Sequence, residues 1–372
     1  MKEIYLDNNA TTPLDPKVVS SMQSAYAIYG NPSSTHSQGK KAKQLLVSSR
    51  ARIAKYLNVQ DRTIHFTSGG TESINLLLRS IKHPRHIITS NTEHASIFHT
   101  LQDLSLSSIT YVPSGLEGAP KSQDIQAALR PETDLIVLAA VNSETGAMID
   151  LEAIATIAKQ NNIPFVVDAI ALLGKEPITL FEGISAMAFS GHKIHGPKGT
   201  GCIYAHETFP LSPQLTGGGQ ERGYRSGTEN LMGIIGFAEA VALLETELPK
   251  ASLQMRALKE NLEKGIQALY PTAQINALGP RICNTSNIHF PGVDAETLFI
   301  QLDLAGIAVS LGSACASGGL EPSRILLNMG LSHSAARSSI RFSLSRLTTQ
   351  EDITYCLTHL AKLLPFFEAK IS

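Results

Sequence analysis

The sequence predicts an α/β fold in which a large unit with a mostly parallel sheet is followed by a smaller α+β unit. Strand-like and helix-like segments alternate from about residue 64 to 245, which favours a parallel sheet with helices on both faces. The strand-like runs are continuously apolar, as expected for strands buried on both sides. After Leu248-Pro249 the pattern changes to a charged amphipathic helix and shorter segments. A chain of 372 residues is long enough for both units.

The elements can be assigned in chain order, with a boundary expected near 249–255. We expect a large domain of residues 13–250 and a small domain of residues 251–372, which includes residues 1–12; the extended segment from Tyr5 to Pro13 packs back on one of the two. The large domain is predicted to contain strands at 64–67, 86–89, 135–141, 163–167, 184–189 and 201–204, and helices at 71–81, 151–160 and 231–248. The small domain is predicted to contain helices at 251–269 and 295–305, and strands at 286–290, 307–310 and 339–343.

Composition indicates a globular enzyme. Hydrophobic residues make up 43% of the chain and charged residues 17%, and the net charge of −1 gives no general affinity for nucleic acid or an anionic membrane. No apolar run approaches the roughly 20 residues of a membrane span. The N-terminus carries acidic residues where a signal peptide needs an apolar region, so we expect a cytoplasmic protein.

The four cysteines form no CxxC pair, so their spacing predicts neither a metal site nor a disulfide framework. Cys202 and Cys356 lie in apolar segments and are expected to be buried as small hydrophobic residues. Cys283 cannot be placed from the pattern. Cys315 lies in a different setting, a loop-like segment described below.

Lys193 and Asp168 are the most informative pair in the chain. Lys193 follows an apolar strand in Ser190-Gly191-His192-Lys193, and Asp168 ends another apolar strand. A lysine at the mouth of a sheet is placed to form a Schiff base with an aldehyde cofactor. An aspartate at a neighbouring strand end can keep the pyridinium nitrogen of pyridoxal phosphate protonated.

A phosphate site is indicated by Thr67-Ser68-Gly69-Gly70-Thr71-Glu72-Ser73, which follows a strand and opens a helix. Free N–H groups and the helix dipole favour an anion there. The alternative is a plain helix cap with glycines for the turn, but the nearby Lys193 and Asp168 favour the phosphate site. Ser190 and His192 flank the lysine and could also donate to the phosphate.

His94 follows a strand that ends at Ser90, and a histidine there can stack on a cofactor ring and relay protons. With 12 histidines in the chain, its position at a strand end is what distinguishes it.

Segment 310–319 is small, polar and glycine-rich, and it contains Cys315. We expect a mobile loop whose thiol is placed to enter a site and attack as a thiolate, rather than an incidental loop cysteine. Arg341, in the strand-like 338–343, is suited to a bidentate clamp on an amino-acid carboxylate; the alternative is a surface ion pair.

These residues lie in motifs through which the chain resembles the cysteine desulfurases of the NifS/IscS group, in the aminotransferase class V family of fold type I pyridoxal-phosphate enzymes. The resemblance implies a mostly parallel seven-stranded sheet and runs nearly from end to end. It covers Leu6-Asp7-Asn8-Asn9-Ala10-Thr11-Thr12-Pro13, Gly30-Asn31-Pro32-Ser33-Ser34, 68–73, Glu93-His94, 190–193, 217–223, 225–228, 312–315 and 320–323.

The resemblance implies a role for each of these residues. Lys193 would form the Schiff base with pyridoxal 5′-phosphate, Asp168 would pair with the ring nitrogen, and His94 would stack on the ring. Gly70, Thr71, Ser190 and His192 would bind the phosphate, together with Thr228 from the other subunit of a homodimer. Arg341, Asn142 and Asn31 would bind the substrate, L-cysteine.

Cys315 would take the sulfur as a persulfide, leaving alanine, and pass it to an acceptor protein. An iron–sulfur scaffold and a tRNA-thiolation enzyme both remain open as that acceptor, and we expect no direct nucleic-acid or membrane partner.

Two positions depart from the family pattern. Ser143 stands where an asparagine normally approaches the phenolic oxygen of the cofactor, and Ala171 stands where a glutamine normally does the same. We therefore predict a shifted pKa and altered absorbance for the Schiff base, with slower turnover.

Two other functions remain open. One is a selenocysteine lyase or another class V aminotransferase-type enzyme on the same scaffold. The other is a catalytically weakened member that acts as a binding partner, which Ser143 and Ala171 favour and the retained catalytic residues disfavour.

Overall fold

The computed structural model describes residues 2–104, 108–311 and 322–368, arranged around a seven-stranded sheet. The strands are β1 (Ile4–Tyr5), β2 (Ile64–Thr67), β3 (His86–Ser90), β4 (Ser108–Val112), β5 (Thr133–Ala139), β6 (Phe165–Asp168), β7 (Ile184–Ser190), β8 (Gly201–Ala205), β9 (Gln274–Ile275), β10 (Thr285–His289), β11 (Ile307–Ala308) and β12 (Ser339–Ser343). The helices are α1 (Pro16–Ser24), α2 (Ser37–Tyr56), α3 (Gly70–Ser80), α4 (Ala95–Asp103), α5 (Ser122–Ala127), α6 (Leu151–Gln160), α7 (Leu231–Leu269), α8 (Ala295–Leu304), α9 (Arg324–Asn328), α10 (His333–Arg337), α11 (Gln350–Leu363) and α12 (Pro365–Glu368).

The seven-stranded sheet has the order β2-β8-β7-β6-β5-β3-β4. The neighbouring pairs from β7 to β4 are parallel, whereas β8 is antiparallel to both β7 and β2. The prediction of a mostly parallel seven-stranded sheet is therefore confirmed. Because β8 is antiparallel to both of its neighbours, β2 runs in the same direction as β7 and the other parallel strands. The carboxyl end of β2 therefore lies at the same edge of the sheet as theirs.

Both faces of this sheet are buried, as the continuous apolar strands predicted. Successive residues of a strand enter different hydrophobic clusters: Leu135 and Val137 pack with α3 and α4, whereas Ile136 and Leu138 pack with α2, α6 and α7. Since neighbouring side chains of a strand point to opposite faces, a strand covered on both sides must be apolar throughout.

A smaller α+β unit follows, as predicted. It contains the antiparallel sheet β12-β10-β9 and the parallel pair β1-β11. Ile4 and Leu6 belong to its hydrophobic cluster, which confirms that the N-terminal segment packs back on the fold. The exact domain limits, 13–250 against 1–12 and 251–372, stay a prediction.

One predicted boundary between elements is wrong. Residues 231–248 and 251–269 are not two helices, because α7 continues through Pro249 for 39 residues. Proline removes one backbone hydrogen bond, but burial of apolar residues on both sides, Leu248 and Ala251 among them, holds the helix together. The first half of α7 packs on the large sheet and the second half on the small unit.

Cys202, Cys283 and Cys356 are free and buried, as expected for the first and last of them. Within the described residues, His, Cys, Asp and Glu side chains form no cluster able to hold a metal ion. Across the same ranges, every helix is too short or too polar to traverse a bilayer.

Candidate active site

A cavity of about 270 Å³ opens where the strand ends of the large sheet meet. Strands β5, β6 and β7 end at Ala139, Asp168 and Ser190, and all three residues line the cavity. The chain leaving β2 enters α3, whose first two residues form another part of the wall. This is the edge at which ligands bind in open α/β sheets. Further wall residues are Asn8, Asn9, Thr92, His94, Ser96, Val141, Asn142, Ser143, Ile170, Ala171, Lys175, His192, Lys193 and Ile325.

Lys193 ends a short 3-10 turn, Gly191–Lys193, directly after β7. Its Nζ donates hydrogen bonds to the main-chain oxygens of Asn9 and of Ala10, the latter at 3.0 Å. Burial lowers the pKa of the Lys193 amine to about 8, and the charge of Arg341 acts in the same direction. A much larger share of this amine is therefore neutral, and able to attack a carbonyl, than in a lysine in water.

Asp168 and His94 face the same cavity. Asp168 is buried and its Oδ1 accepts from the N–H of Ile170 at 2.9 Å. Burial raises its pKa, and the charges of His94 and Lys193 oppose that shift. His94 caps α4, and its Nδ1 accepts from the N–H of Ser96 at 3.1 Å. The proton of a neutral ring therefore lies on Nε2. Desolvation by the surrounding wall lowers the pKa of this imidazole and keeps it neutral at pH 7.

The predicted phosphate cradle comes together around the start of α3. Gly70, Thr71, Ser190 and His192 all line the cavity. A Cβ on Gly70 would lie 2.3 Å from Cδ1 of Ile170, so only glycine fits without displacing that side chain. The Ser190 hydroxyl is buried and has no hydrogen-bond partner, which is the feature expected of a donor that awaits an anion.

His192 extends the same cradle. Its Nδ1 lies 3.1 Å from the Thr11 hydroxyl, and burial lowers its pKa to about 4, so the ring is neutral at pH 7. The positive charge of Lys193 contributes to this shift. A neutral ring can still donate one hydrogen bond to a phosphate.

Arg341 lies behind the cavity wall rather than on it. One of its terminal nitrogens, Nη2, donates to Asp7 Oδ1 at 2.6 Å, and Nη1 donates to the main-chain oxygen of Ser143 at 3.2 Å. Its Nε is buried without a partner. A substrate carboxylate would reach this guanidinium past Ser143 and in competition with Asp7.

Two predicted site residues of the described part of the chain, Asn31 and Thr228, lie away from the cavity of their own chain. Asn31 is exposed, lies outside the cavity wall, and accepts from the N–H of Ser33 at 2.9 Å. Thr228 is exposed and also lies outside the wall. Cys315 lies outside the described residues.

Asn142 and the two departing positions are on the wall. The Asn142 amide donates to Thr92 O at 2.9 Å and its oxygen accepts from the N–H groups of Glu144 and Thr145, so both ends already have partners. Ser143 and Ala171 line the cavity, as their proposed nearness to the cofactor requires, and their effect on its absorbance stays a prediction.

The sequence interpretation missed two buried ionisable residues here. Lys175 lines the cavity, and its Nζ donates to the main-chain oxygen of Lys193 at 2.6 Å. Glu93 accepts from the Ser90 hydroxyl at 2.7 Å and from the N–H of Ala139 at 2.8 Å, which ties together the ends of β3 and β5. Burial raises the pKa of Glu93 to about 7. Its only signal in the sequence is its place just before His94.

Comparisons with known proteins extend over nearly the whole chain. The sequence matches the aminotransferase class-V family over residues 4–356. A cysteine desulfurase IscS from Clostridium botulinum is 37% identical over 98% of this chain and 94% of its own length. Another, from Shewanella amazonensis, is 38% identical over 95% of this chain and 91% of its own length.

Solved structures also resemble this chain over nearly its whole length. A NifS-like protein superposes with a TM-score of 0.91 at 35% identity, covering 98% of this chain and all of that one. A protein described as SspA in complex with cysteine has a TM-score of 0.81 at 30% identity, covering 94% of this chain and 100% of that one. The chain therefore belongs to the aminotransferase class-V family and, within it, to the cysteine desulfurases of the NifS/IscS group.

Proposed function

We propose that this protein is a pyridoxal-phosphate-dependent cysteine desulfurase. The observation that carries the proposal is that the Lys193 amine and the Asp168 carboxyl group face one cavity, beside an unpartnered hydroxyl at a helix N-terminus. The relatives named above as cysteine desulfurases, and the SspA structure described with cysteine, support the same activity.

The residues present fit pyridoxal phosphate. The first turn of α3, the free Ser190 hydroxyl and the neutral His192 ring offer donors to a phosphate dianion. Lys193 offers a largely desolvated amine to the aldehyde. Asp168 offers a buried carboxylate, which gains stability from a protonated ring nitrogen.

Bound there, the cofactor supplies an electron sink for a carbanion at the substrate α-carbon. The protein's own residues bind and move protons around it. Asp168 would hold a proton on the ring nitrogen, and His94 would present an Nε2–H to the cavity. With a pKa of about 8, the Lys193 amine would be half neutral at pH 8, and its neutral form could take a proton from the substrate α-carbon.

Cys315 is the proposed sulfur acceptor. Its thiolate attacks the sulfur of L-cysteine, the C–S bond breaks, and an S–S bond forms on Cys315. L-Cysteine and one thiol give L-alanine and one persulfide, so the exchange balances without an external oxidant or reductant. The persulfide then passes to an acceptor protein, for iron–sulfur cluster assembly or tRNA thiolation.

Arg341 is proposed to hold the substrate carboxylate, with its buried Nε as the unused donor. We also propose a cytoplasmic homodimer in which Thr228 reaches the phosphate of the partner's site, since it is exposed and away from the cavity of its own chain.

The test is incubation of the cofactor-loaded protein with L-cysteine, followed by measurement of alanine and of the mass of the Cys315 peptide. We expect alanine and a gain of one sulfur atom on Cys315. The Cys315→Ala variant should bind the cofactor and lose desulfuration. Cofactor loading of the wild-type protein without either product would contradict the proposal.

The same two proteins separate the alternatives when transamination and action on selenocysteine are assayed as well. A class V aminotransferase would retain transamination in Cys315→Ala, and a selenocysteine lyase would release selenium from selenocysteine with little action on cysteine. A weakened family member that acts as a binding partner would yield neither alanine nor persulfide.

A further inference from the structure

Two lysines share the wall of the cavity, and only one has a proposed role. Lys175 is 4% exposed, and its Nζ donates to the main-chain oxygen of Lys193 at 2.6 Å. Among the described residues, no acidic side chain forms an ion pair with Lys175. Burial lowers the pKa of Lys175 to about 8, so at pH 7 the chain still keeps a mostly protonated amine buried beside a reactive lysine, without a carboxylate to balance it.

Such a group is costly. Removing an ammonium from water costs several kcal/mol unless other interactions compensate, and an apolar side chain of similar length would fill the same space without that cost. Two things that only the ammonium supplies are a hydrogen bond to the Lys193 carbonyl and a positive charge at the cavity.

Lys175 is itself held firmly. Its main-chain oxygen accepts from the Ser252 hydroxyl of α7 and from Sγ of Cys283, the latter at 3.2 Å. The turn that precedes Lys175 packs closely on the residue that follows Lys193, since a Cβ on Gly174 would lie 2.6 Å from Cγ2 of Ile194. The segment that leaves β6 therefore carries both Asp168 and the group that contacts the Lys193 main chain.

We propose that Lys175 is a positioning residue for Lys193: its buried ammonium holds the Lys193 main-chain carbonyl and places a positive charge in the cavity wall. This inference rests on the proposed role of Lys193 in binding the cofactor. It adds a residue that touches neither the aldehyde nor the substrate and acts through Lys193.

The charges around the Lys193 nitrogen determine the direction of the effect. Removing the positive charge of Lys175 leaves the negative groups less opposed, which favours a protonated nitrogen at Lys193. The charges of Arg341, Asp168 and Asp7 act on Lys193, and the charge of Lys193 in turn acts on His94, His192 and Lys175.

The test uses Lys175→Met, with Lys175→Arg as the conservative variant. Each protein is loaded with pyridoxal phosphate, and both the loading rate and the pH midpoint of the visible absorbance are measured. We expect Lys175→Met to load more slowly and to move the midpoint upward by about 1 pH unit, the shift expected of a nearby buried charge. Lys175→Arg should restore most of both.

Lys259 provides a matched control. It is also 4% exposed, and its Nζ donates to a main-chain oxygen, that of Ile282, at 2.7 Å, but it lies outside the cavity wall. Lys259→Met should leave the loading rate and the midpoint unchanged, whatever its effect on thermal stability. If Lys175→Met behaves like Lys259→Met, Lys175 is only structural and the inference is overturned.

A second variant covers the case in which Lys175→Met does not fold. Lys175→Gln keeps a donor without the charge, so it should load at nearly the wild-type rate and still show the raised midpoint; an unmoved midpoint would contradict the electrostatic part.

A wild-type protein that never takes up pyridoxal phosphate would contradict the proposed function itself. Normal loading of both wild type and Lys175→Met would contradict the inference alone.

Discussion

The Ser190 hydroxyl is buried at the end of β7 and lacks a hydrogen-bond partner. An unpaired buried hydroxyl destabilises the fold unless a ligand satisfies it. We predict that Ser190→Ala weakens pyridoxal-phosphate binding at least about tenfold, because a hydrogen bond to a charged group is worth about 1.5–3 kcal/mol. In the cofactor-free protein the variant should be as stable as wild type, or more stable by about 1 kcal/mol. Cofactor titration and denaturant unfolding measure the two effects.

Thr89 supplies the control for that experiment. Its hydroxyl is also buried without a partner, but it does not line the cavity. Thr89→Val should leave the cofactor affinity unchanged. Equal cofactor affinity in Ser190→Ala and wild type would remove Ser190 from the phosphate site.

Glu93 gives a prediction on pH and stability. Its pKa is about 7 in the folded protein against 4.5 ordinarily, so between these values the folded state holds more protons than the unfolded state. The contribution of Glu93 to the free energy of unfolding is therefore fully present below pH 4.5 and is lost as the pH rises through 7. Glu93→Gln cannot ionise, and its side-chain amide can still accept from the N–H of Ala139 and donate to the Ser90 hydroxyl.

We predict that Glu93→Gln gains stability relative to wild type between pH 5 and pH 8, by on the order of 2–3 kcal/mol. Urea unfolding of both proteins across that range measures the difference. A constant difference at all pH values would show that Glu93 does not titrate in this way.

At the residue scale, the sequence predicted those functional groups that can be recognised from their residue type and from their position at the end of a strand. Lys193, Asp168, Ser190 and His94 follow apolar runs, so their convergence at one sheet edge could be expected. Lys175 could not be found in this way, because its importance comes from burial and from a contact with a residue 18 positions later.

Gly69 caps the N-terminus of helix α3 in a backbone conformation that only glycine adopts readily. Gly69 has φ +149° and ψ −172°. The space around it is open, because a Cβ at this position would lie 3.9 Å from Ser190 Oγ. We predict that Gly69→Ala costs about 1–3 kcal/mol through backbone strain and shifts the N–H groups of the first turn. Affinity for pyridoxal phosphate should then fall more than affinity for pyridoxal, which has no phosphate.

The comparison between the two ligands isolates the helix terminus. Gly115 also has a positive φ, +56°, and a Cβ at this position would have no atom of a non-neighbouring residue within 4 Å. It lies outside the cavity wall. Gly115→Ala should strain the backbone without changing the ratio of the two affinities. An unchanged ratio in Gly69→Ala would argue against α3 as the phosphate site.

Element type was predictable wherever apolar runs were long, as in β5 and β7. The antiparallel direction of β8 was not, because a strand that is buried on both faces reads the same in either direction. The continuity of α7 through Pro249 was also missed. Proline is a local signal, and the packing of both helix halves overrides it.

At the scale of the whole molecule, the loop that carries Thr228 is anchored from two sides. Arg225 makes an ion pair with Glu72 at 2.8 Å, and Glu221 makes a buried one with Arg50 at 2.7 Å. Glu221 and Arg222 both have positive φ, a strained state for residues other than glycine, which these contacts hold in place. The loop is therefore a preformed surface that can present Thr228 to a second copy of the chain.

We predict that Lys193→Ala and Thr228→Ala complement each other in a mixed dimer. The Lys193→Ala subunit still offers Thr228, and the Thr228→Ala subunit still offers Lys193, so one complete site forms if Thr228 acts across the interface. Mixed dimers, purified with two different tags, should therefore bind pyridoxal phosphate at half the sites with wild-type affinity. If Thr228 acts within its own chain, the mixed dimer will bind no better than the Thr228→Ala homodimer.

The identity of the cofactor-binding lysine decides the whole account. The protein is loaded with pyridoxal phosphate, reduced with borohydride, digested and mapped by mass spectrometry. The account predicts a phosphopyridoxyl group on Lys193, an unmodified Lys175, and no such group in Lys193→Ala. Modification of Lys175 in place of Lys193, or no specific modification at all, would contradict it.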